Sequence, residues 1–564
     1  MPKIIENHIE QWVIESLQEK GYSFLTPDFL DPDFANSLRS SYAEVLIIKH
    51  LQEAIIKFNP TLSAASIQQV IRDVQNIPDA GDLVACNKKF QQILTEGVDI
   101  TYVEQGEERT IKAWLIDKNN TANNNWVVTH QLIIIENGQN KRPDVIIYLN
   151  GIPVIVFELK NATDSSATID KAYQQLQTYH KAIPSLFCYN LLEIVSDGLE
   201  AKVGTITSDL SRFMSWKTID GVTTASKTTS ELQVMNEGLM DIQVLLDLCL
   251  NFIVFENYKI EDPITKITTI GVAKKVAAYH QYYAIKKAII STSTASNEGG
   301  NKKGGVVWHT QGSGKSLSMV FFTGLLVQQL NNPTVIIITD RNDLDGQLFE
   351  TFANCSQLLR QIPTQIDSRS KLIKELKDRK SGGIFFATIQ KFLPEDGTLR
   401  FEELSDRRNI IVIADEAHRT QYGFDAKIRI IKDEDGNEID AETTYGFAKH
   451  MHDALPNATF IGFTGTPVES TDKNTKAVFG EYVDIYDIER AVRDGATVPI
   501  YYENRFVKLK LDQLVMNDLD EKLNQAAEGK PEYIVNQAIE KATRQEAIIG
   551  KDNRLAIIAT DIVT

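Results

Sequence analysis

Five short apolar runs recur between residues 306 and 464: VVWHT, TVIIIT, GIFFAT, NIIVIAD and TFIGFT, separated by segments of helical periodicity. Runs that are apolar on both faces suit strands covered on both sides. Alternation with helices at such intervals builds βα units around a parallel sheet. A parallel sheet carries its functional groups at the carboxyl ends of its strands, so those ends are where chemistry is expected. Two of them hold it. VVWHT leads into Thr310-Gln311-Gly312-Ser313-Gly314-Lys315-Ser316, and NIIVIAD closes on Asp415-Glu416-Ala417-His418.

Each group has a reason to be there. A glycine-bearing turn from strand into helix lets backbone N–H groups close around phosphate oxygens, at the positive end of the helix dipole. Lys315 would reach the β and γ phosphates, and the Ser316 hydroxyl would hold Mg2+. The full G-x-x-x-x-G-K-[ST] pattern asks for glycine at 309, where this chain has His309. Asp415 would hold the same Mg2+ through water, and Glu416 would orient or deprotonate the attacking water.

A second constellation lies upstream. DVIIYL and IPVIVFELK flank Asn150-Gly151, a strong hairpin signal. Glu158 and Lys160 are two apart on one strand and leave the same face. Asp144 and Glu158 would hold Mg2+ through oxygen ligands, with Lys160 positioning or activating water and stabilising phosphate charge. The register tests this. A strict two-residue turn pairs 149 with 152 and 144 with 157, turning Asp144 to the face opposite Glu158. One metal needs a shift of one residue, expected from a three-residue Leu149-Asn150-Gly151 loop with a glycine bulge, or from an Asp144 displaced off the strand end. The helical run ATIDKAYQQLQTYHKAI puts Gln175 and Tyr179 four apart on one face.

With 564 residues the chain is too long for one core, so at least two domains are expected. DIQVLLDLCLNFIVFE (Asp241 to Glu256) reads as an apolar helix, and STSTASNEGGNKKGG (Ser291 to Gly305) as a flexible surface loop. The formal net charge of −17 argues against a surface that coats DNA wholesale, while leaving room for local basic channels. Four well-separated cysteines without a CxxC spacing indicate neither a zinc site nor a disulfide framework. No apolar run approaches a membrane span, and the N-terminus lacks a signal-peptide layout, so a cytoplasmic, non-membrane protein is expected. Residues 509–551 turn polar and helical, and the end at DNRLAIIATDIVT reads as a truncation.

In order and spacing, TQGSGKS, ITDRNDLDGQL, ATIQKF, the DEAH box and TGTP resemble superfamily-two helicases and translocases. The loop starting at Thr310 and Gly312 matches the helicase variant of the phosphate motif. That resemblance implies adenine reading by Gln281, and coupling of nucleotide to nucleic acid by His418, Thr464 and Thr466. Asp144, Glu158, Lys160 and the QxxxY pair Gln175/Tyr179 resemble RecB-like PD-(D/E)xK nucleases, with Glu10 of the N-terminal helix completing the metal site. Together with RPDVIIYLNGIPVIVFELKNA, YHQYYAIKKAI, IADEAHRTQYG and FGEYVDIYDIERAVRDGATVPIYYE, these segments resemble the motor/endonuclease (R) subunit of type I restriction enzymes.

The resemblance implies an α/β chain of three parts: a PD-(D/E)xK nuclease domain at 1–255, with a mixed sheet and flanking helices; a RecA-like parallel-sheet helicase lobe at 256–470; and a connector with the truncated start of a second lobe at 471–564. It implies ATP and Mg2+ as cofactors, translocation of double-stranded DNA, and cleavage away from a recognition site. Methyltransferase (modification) and specificity subunits would be the partners. A single motor lobe is expected to hydrolyse ATP poorly. The alternative reading is a stand-alone defence helicase-nuclease without methyltransferase partners.

Overall fold

The computed structural model describes residues 6–104, 107–161, 168–261, 266, 268–339, 342–392, 401–417, 426–432, 438–445, 447–466 and 473–498. Its first sheet has six strands in spatial order β1 (Ser23–Phe24), β2 (Trp126–His130), β3 (Val145–Leu149), β4 (Ile152–Leu159), β5 (Leu192–Ser196) and β6 (Ala201–Gly204). β1 and β2 are parallel, whereas β2 with β3 and β3 with β4 pair antiparallel. β4 and β5 are parallel, joined through helix α2 (Ile169–Ala182). Every residue of β3 and β4 is buried, which is why both read as continuous apolar runs. Helix α1 (Glu6–Glu19) packs Val13, Ile14 and Leu17 into the same core.

The hairpin between β3 and β4 corrects one expectation in detail. Asn150 (φ 50°) and Gly151 (φ 82°) both adopt left-handed backbone, so the turn is the two-residue kind and Leu149 pairs with Ile152. A Cβ on Gly151 would come within 2.3 Å of the Ile47 carbonyl, so glycine is required there twice over. The ladder then slips by one: Tyr148 pairs with Pro153, but Ile147 pairs with Ile155. The bulge therefore sits at Val154 and not in the turn. Pro153 has no N–H to give the ladder, so the irregularity falls beside it. The Val154 carbonyl accepts instead from Leu191 N at 2.7 Å, in the strand-entry segment on the other side.

Two further readings change. The helix expected over 241–256 ends at Asn251, and Ile253–Glu261 is a strand paired antiparallel with Thr268–Val276. The β-branched and aromatic run Ile253-Val254-Phe255 favours that pairing. Likewise, residues 291–296 are no loop. Helix α3 (Tyr279–Ser296) carries through them, with Thr292 and Ala295 buried in its inner face.

The second sheet has seven strands, all parallel. They are β7 (Lys303–His309), β8 (Thr334–Thr339), β9 (Thr364–Gln365), β10 (Ile384–Thr388), β11 (Ile410–Asp415), β12 (Thr459–Thr464) and β13 (Tyr482–Tyr486), in spatial order β9-β10-β8-β11-β12-β7-β13. All five expected strands are present. β13 pairs directly with β7, so the sheet continues past the boundary expected at 470. Helix α4 (Lys315–Gln329) follows β7, and the short helix α5 (Ile488–Arg493) follows β13. Met1–Thr497 form one compact unit that includes both sheets. The polar stretch at 509–551 lies outside the described residues. Among the described residues no helix is long and apolar enough to cross a membrane.

Candidate nuclease and nucleotide sites

The slipped register has a direct consequence. Val145 pairs with Phe157, so Asp144, one residue before β3, stands opposite Glu158 on the same face. On the other side His130 pairs with Val145, and Gln131 N donates to the Asp144 carbonyl at 3.0 Å. Gln131, Asp144 and Glu158 thus form one row across three strands. Both acids are buried. Asp144 Oδ2 accepts from Leu159 N at 2.7 Å, and Oδ1 accepts from Gln131 Nε2 at 3.2 Å. Lys160 Nζ lies 2.6 Å from Glu158 Oε1 and 4.0 Å from Asp144 Oδ2.

Two supports surround this row. Glu10, buried on α1, accepts from Gln131 Nε2 at 2.8 Å and faces His130 Nδ1 at 3.3 Å. Glu10 therefore reaches the site through Gln131. On α2, the Tyr179 hydroxyl donates to the Arg142 carbonyl at 3.3 Å. Burial and the neighbouring Glu158 carboxylate push that hydroxyl well above its usual range, with Gln175 hydrogen-bonded beside it. A tyrosine so shifted stays a neutral donor at any physiological pH. Among the described residues no group of three or more His, Cys, Asp or Glu side chains is arranged to hold a metal, so any cation here would rest on fewer protein carboxylates.

At the second sheet, Gly312 (φ 86°) and Gly314 (φ 84°) take the left-handed backbone that folds the loop over the end of β7. Lys315 opens α4 and reaches across β12 to the end of β11, with Nζ 2.9 Å from Asp415 Oδ1 and 2.5 Å from Glu416 Oε1. Burial alone would lower the Lys315 pKa; the two carboxylates outweigh it and raise it. Glu416 has φ 49°, a costly conformation for a side-chain-bearing residue, and its N–H is held by Asp415 Oδ1 at 2.9 Å. Ser316 lies on the first turn of α4. Thr464, at the end of β12, pairs with Trp308 of β7, and its Oγ1 donates to the Thr466 carbonyl at 3.0 Å. His418 lies outside the described residues, as do Asp340 and Arg341 of ITDRNDLDGQL.

Gln281, expected to read adenine, lies against the phosphate loop. Its Oε1 accepts from Ala278 N at 2.9 Å, and Nε2 donates to the Gly314 carbonyl at 3.0 Å and Ser318 Oγ at 3.2 Å. The amide braces the phosphate loop, and a Cβ on Gly314 would meet its Nε2 at 2.6 Å.

Sequence reasoning missed the rest of that brace. His309, in place of the pattern's glycine, is buried and faces Asp484 Oδ2 of β13 at 3.1 Å. Lys287 Nζ donates to Asp484 Oδ1 at 2.7 Å. Burial would raise the Asp484 pKa, but His309 and Lys287 hold it below its usual value. His280 stacks on Tyr486 (3.9 Å between centroids, 5° between planes) and faces the Ser313 carbonyl at 3.2 Å. Tyr486 O accepts from Thr310 N at 2.9 Å. Gln131 was missed as well, because it belongs to no motif. The only available signal was a polar His-Gln pair closing the apolar strand WVVT.

Residues 3–212 match the family model described as the type I restriction enzyme R protein N terminus, and residues 280–533 match the SWI2/SNF2 ATPase model. The type I restriction enzyme HindI endonuclease subunit of Haemophilus influenzae is 40% identical over 563 residues, 99% of this chain and 51% of the relative. A Methanocaldococcus jannaschii protein, provisionally named the MjaIXP type I restriction enzyme endonuclease subunit, is 32% identical over 588 residues, 100% of this chain and 52% of the relative. The chain spans about half the length of these relatives. Among solved structures, the Pyrococcus furiosus Hef helicase domain aligns at TM-score 0.25 and 14% identity over 47% of this chain and 54% of that one, a likeness too loose to carry an argument. Fold and sites define a nuclease-type α/β domain joined in one chain to a RecA-like ATPase lobe. The chain belongs to the type I restriction enzyme R-protein family.

Proposed function

We propose that this chain is the nuclease and first motor lobe of a type I restriction subunit. In that reading ATP-driven translocation of double-stranded DNA precedes Mg2+-dependent cleavage away from a recognition site. Residues 1–255 form the nuclease domain, and the motor lobe begins at 256 and runs through β13. The observation that carries the reading is the pair of acid–lysine constellations in one compact unit: Lys160 with Glu158 and Asp144, and Lys315 with Asp415 and Glu416.

In the nuclease, Asp144 and Glu158 offer the hard oxygen donors that Mg2+ takes, and a bound Mg2+ would acidify a water and stabilise charge on the phosphate. Lys160 contributes a donor to the phosphate oxygens and fixes Glu158. Gln131 holds the Asp144 carboxylate in the row, with Glu10 behind it. Tyr179 remains protonated and keeps its hydroxyl as a donor beside Glu158.

In the motor, Thr310 to Gly314 cradle the phosphates of ATP. Lys315 contacts the terminal phosphates, Ser316 and Asp415 hold the accompanying Mg2+, and Glu416 orients the attacking water. Gln281 braces the loop from below. Thr464, Thr466 and His418 link the nucleotide to the DNA path. Modification and specificity subunits supply the address and the methylation check.

The test uses the full-length subunit assembled with those partners. Lys160→Ala is expected to abolish cleavage, a loss of at least about 10²–10³-fold, while ATP turnover persists. Lys315→Ala should abolish both. A Lys160→Ala complex that still cuts DNA overturns the nuclease assignment. Cleavage by the full-length subunit without any partner favours the stand-alone reading.

A further inference from the structure

A groove of about 400 Å3 is lined by Gln139, Lys141, Gln177, Thr178, Lys181 and Ala182. One wall is the short strand Gln139–Lys141, which leads through Arg142 and Pro143 straight to Asp144. The other is α2, whose Tyr179 hydroxyl reaches back to the Arg142 carbonyl at 3.3 Å. The strand that lines the groove thus runs on into Asp144, and the helix that lines it also carries Tyr179.

Lys171, Gln174, Thr178 and Lys181 recur every three or four residues and form one exposed stripe of α2. Lys141, Arg142, Lys171 and Lys181 make no ion pair among the described residues, whereas Lys160, Lys217, Lys275, Lys287 and Lys315 are each paired. On the strand side Glu136 is turned to Ser185, accepting from its N at 3.2 Å and its Oγ at 2.7 Å. Asp170 is the only acid on the first turn of α2. In a chain of net charge −17, two lysines without an ion pair among the described residues, Lys141 and Lys181, line this groove, and Arg142 follows Lys141 directly, a local cationic patch suited to an anion.

The lining also indicates what kind of anion. Gln139, Gln177 and Thr178 add neutral donors of the type that contact phosphate oxygens, and no aromatic or large aliphatic side chain offers a protein partner an anchor. The stripe from Lys171 to Lys181 is roughly 15 Å long at 1.5 Å per residue, matching about four base-pair rises.

We propose that this groove seats the sugar–phosphate backbone of the duplex as it leaves the cleavage site, with Lys141, Arg142 and Lys181 neutralising successive phosphates. The proposal rests on the nuclease reading and adds the direction in which the substrate runs.

Lys141→Gln/Lys181→Gln tests it in two settings. The first is binding of a short duplex by this 564-residue chain across a salt series. The second is cleavage by the full-length assembled complex. The expected result is a salt slope shallower by about 1.8, near 0.9 for each lost phosphate contact, and cleavage at least about tenfold slower at unchanged ATP turnover. Charge reversal at the same positions, Lys141→Glu/Lys181→Glu, should deepen both losses. A wild-type slope and wild-type cleavage in the double variants, with Lys160→Ala inactive, overturn the groove and leave the nuclease standing. Normal binding of bare duplex with cleavage lost only in the complex makes the groove a protein interface and also overturns the proposal. If Lys160→Ala still cuts, the nuclease reading itself has failed.

Discussion

The two sites use the same parts but hold them differently. Each has a lysine on two carboxylates: Lys160 with Glu158 and Asp144, Lys315 with Glu416 and Asp415. Each also has a residue at φ 49°. In the nuclease that residue is Gln131, which supports the acids; in the motor it is Glu416, an acid itself. The nuclease row is assembled by neighbouring strands of one sheet and fixed by a one-residue slip. The motor site is assembled across the sheet, and its phosphate loop is braced by α3 upstream and by β13 downstream. A site made within one hairpin can be lost through its register. A site made across a sheet can be lost through segments far from any motif.

The largest effect should therefore come from the motor's brace. His309→Gly restores the glycine of the full phosphate-loop pattern, yet it should be harmful. It empties a buried volume and removes a partner from Asp484, an expected cost of about 2–4 kcal/mol. Thermal unfolding of the 564-residue chain measures that cost, and ATP turnover of the full-length complex should fall with it. A His309→Gly chain as stable and active as wild type would mean that the loop needs no brace, and the contrast between the sites would collapse.

Next comes Gln131→Ala. It leaves Glu10 and Asp144 without their shared donor and should slow cleavage about 10–100-fold, with ATP turnover unchanged. Equal losses in both activities would show that the nuclease row is not locally held.

How far this was legible in the sequence follows the same division. The strands, the phosphate loop and the acids at strand ends could be read because each is a local pattern with its own periodicity. The need for a one-residue slip between Asp144 and Glu158 could also be derived, from the two-residue side-chain period alone. Its position could not: Asn150-Gly151 was too good a two-residue turn to stretch, and the missing N–H of Pro153 decided the matter. Glu193 with His180, Asp484 with His309, and Lys274 with Asn190 are contacts between residues 13, 175 and 84 positions apart. No spacing rule reaches them.

Lys274 sharpens the comparison from between the two regions. It lies on the second strand of the hairpin linking them, fully buried, with Nζ donating to the Asn190 carbonyl at 2.8 Å. Burial lowers its pKa to about 7. Below pH 7 both folded and unfolded chains carry the proton, and the burial penalty is fully present. Between about 7 and its ordinary value of 10.5 the unfolded chain binds more protons, so stability rises with pH. Lys274→Met should be more stable than wild type by about 1–2 kcal/mol at pH 6, and the advantage should vanish by pH 10. Paired unfolding curves at the two pH values check this. A variant less stable than wild type at both would show that the ammonium pins the hairpin, not merely tolerates burial.

A last test isolates the motor brace by pH alone. Burial, with His309 and Arg490 nearby, lowers His280 to about 3, while the Ser313 carbonyl and Asp484 pull the other way. The unfolded chain takes up this proton near pH 6.5 and the folded lobe does not. Stability contributed here is complete above 6.5 and is lost as pH falls toward 3, by up to about 1.4 kcal/mol per pH unit. His280→Phe keeps a ring against Tyr486 and cannot titrate. Between pH 6 and 4 the wild-type unfolding curve should therefore fall more steeply than that of His280→Phe, with the two sheets' transitions followed separately if they separate. Parallel curves would mean that acid opens the motor through its carboxylates, as it would open the nuclease, and that the stacked histidine does not set the two sites apart.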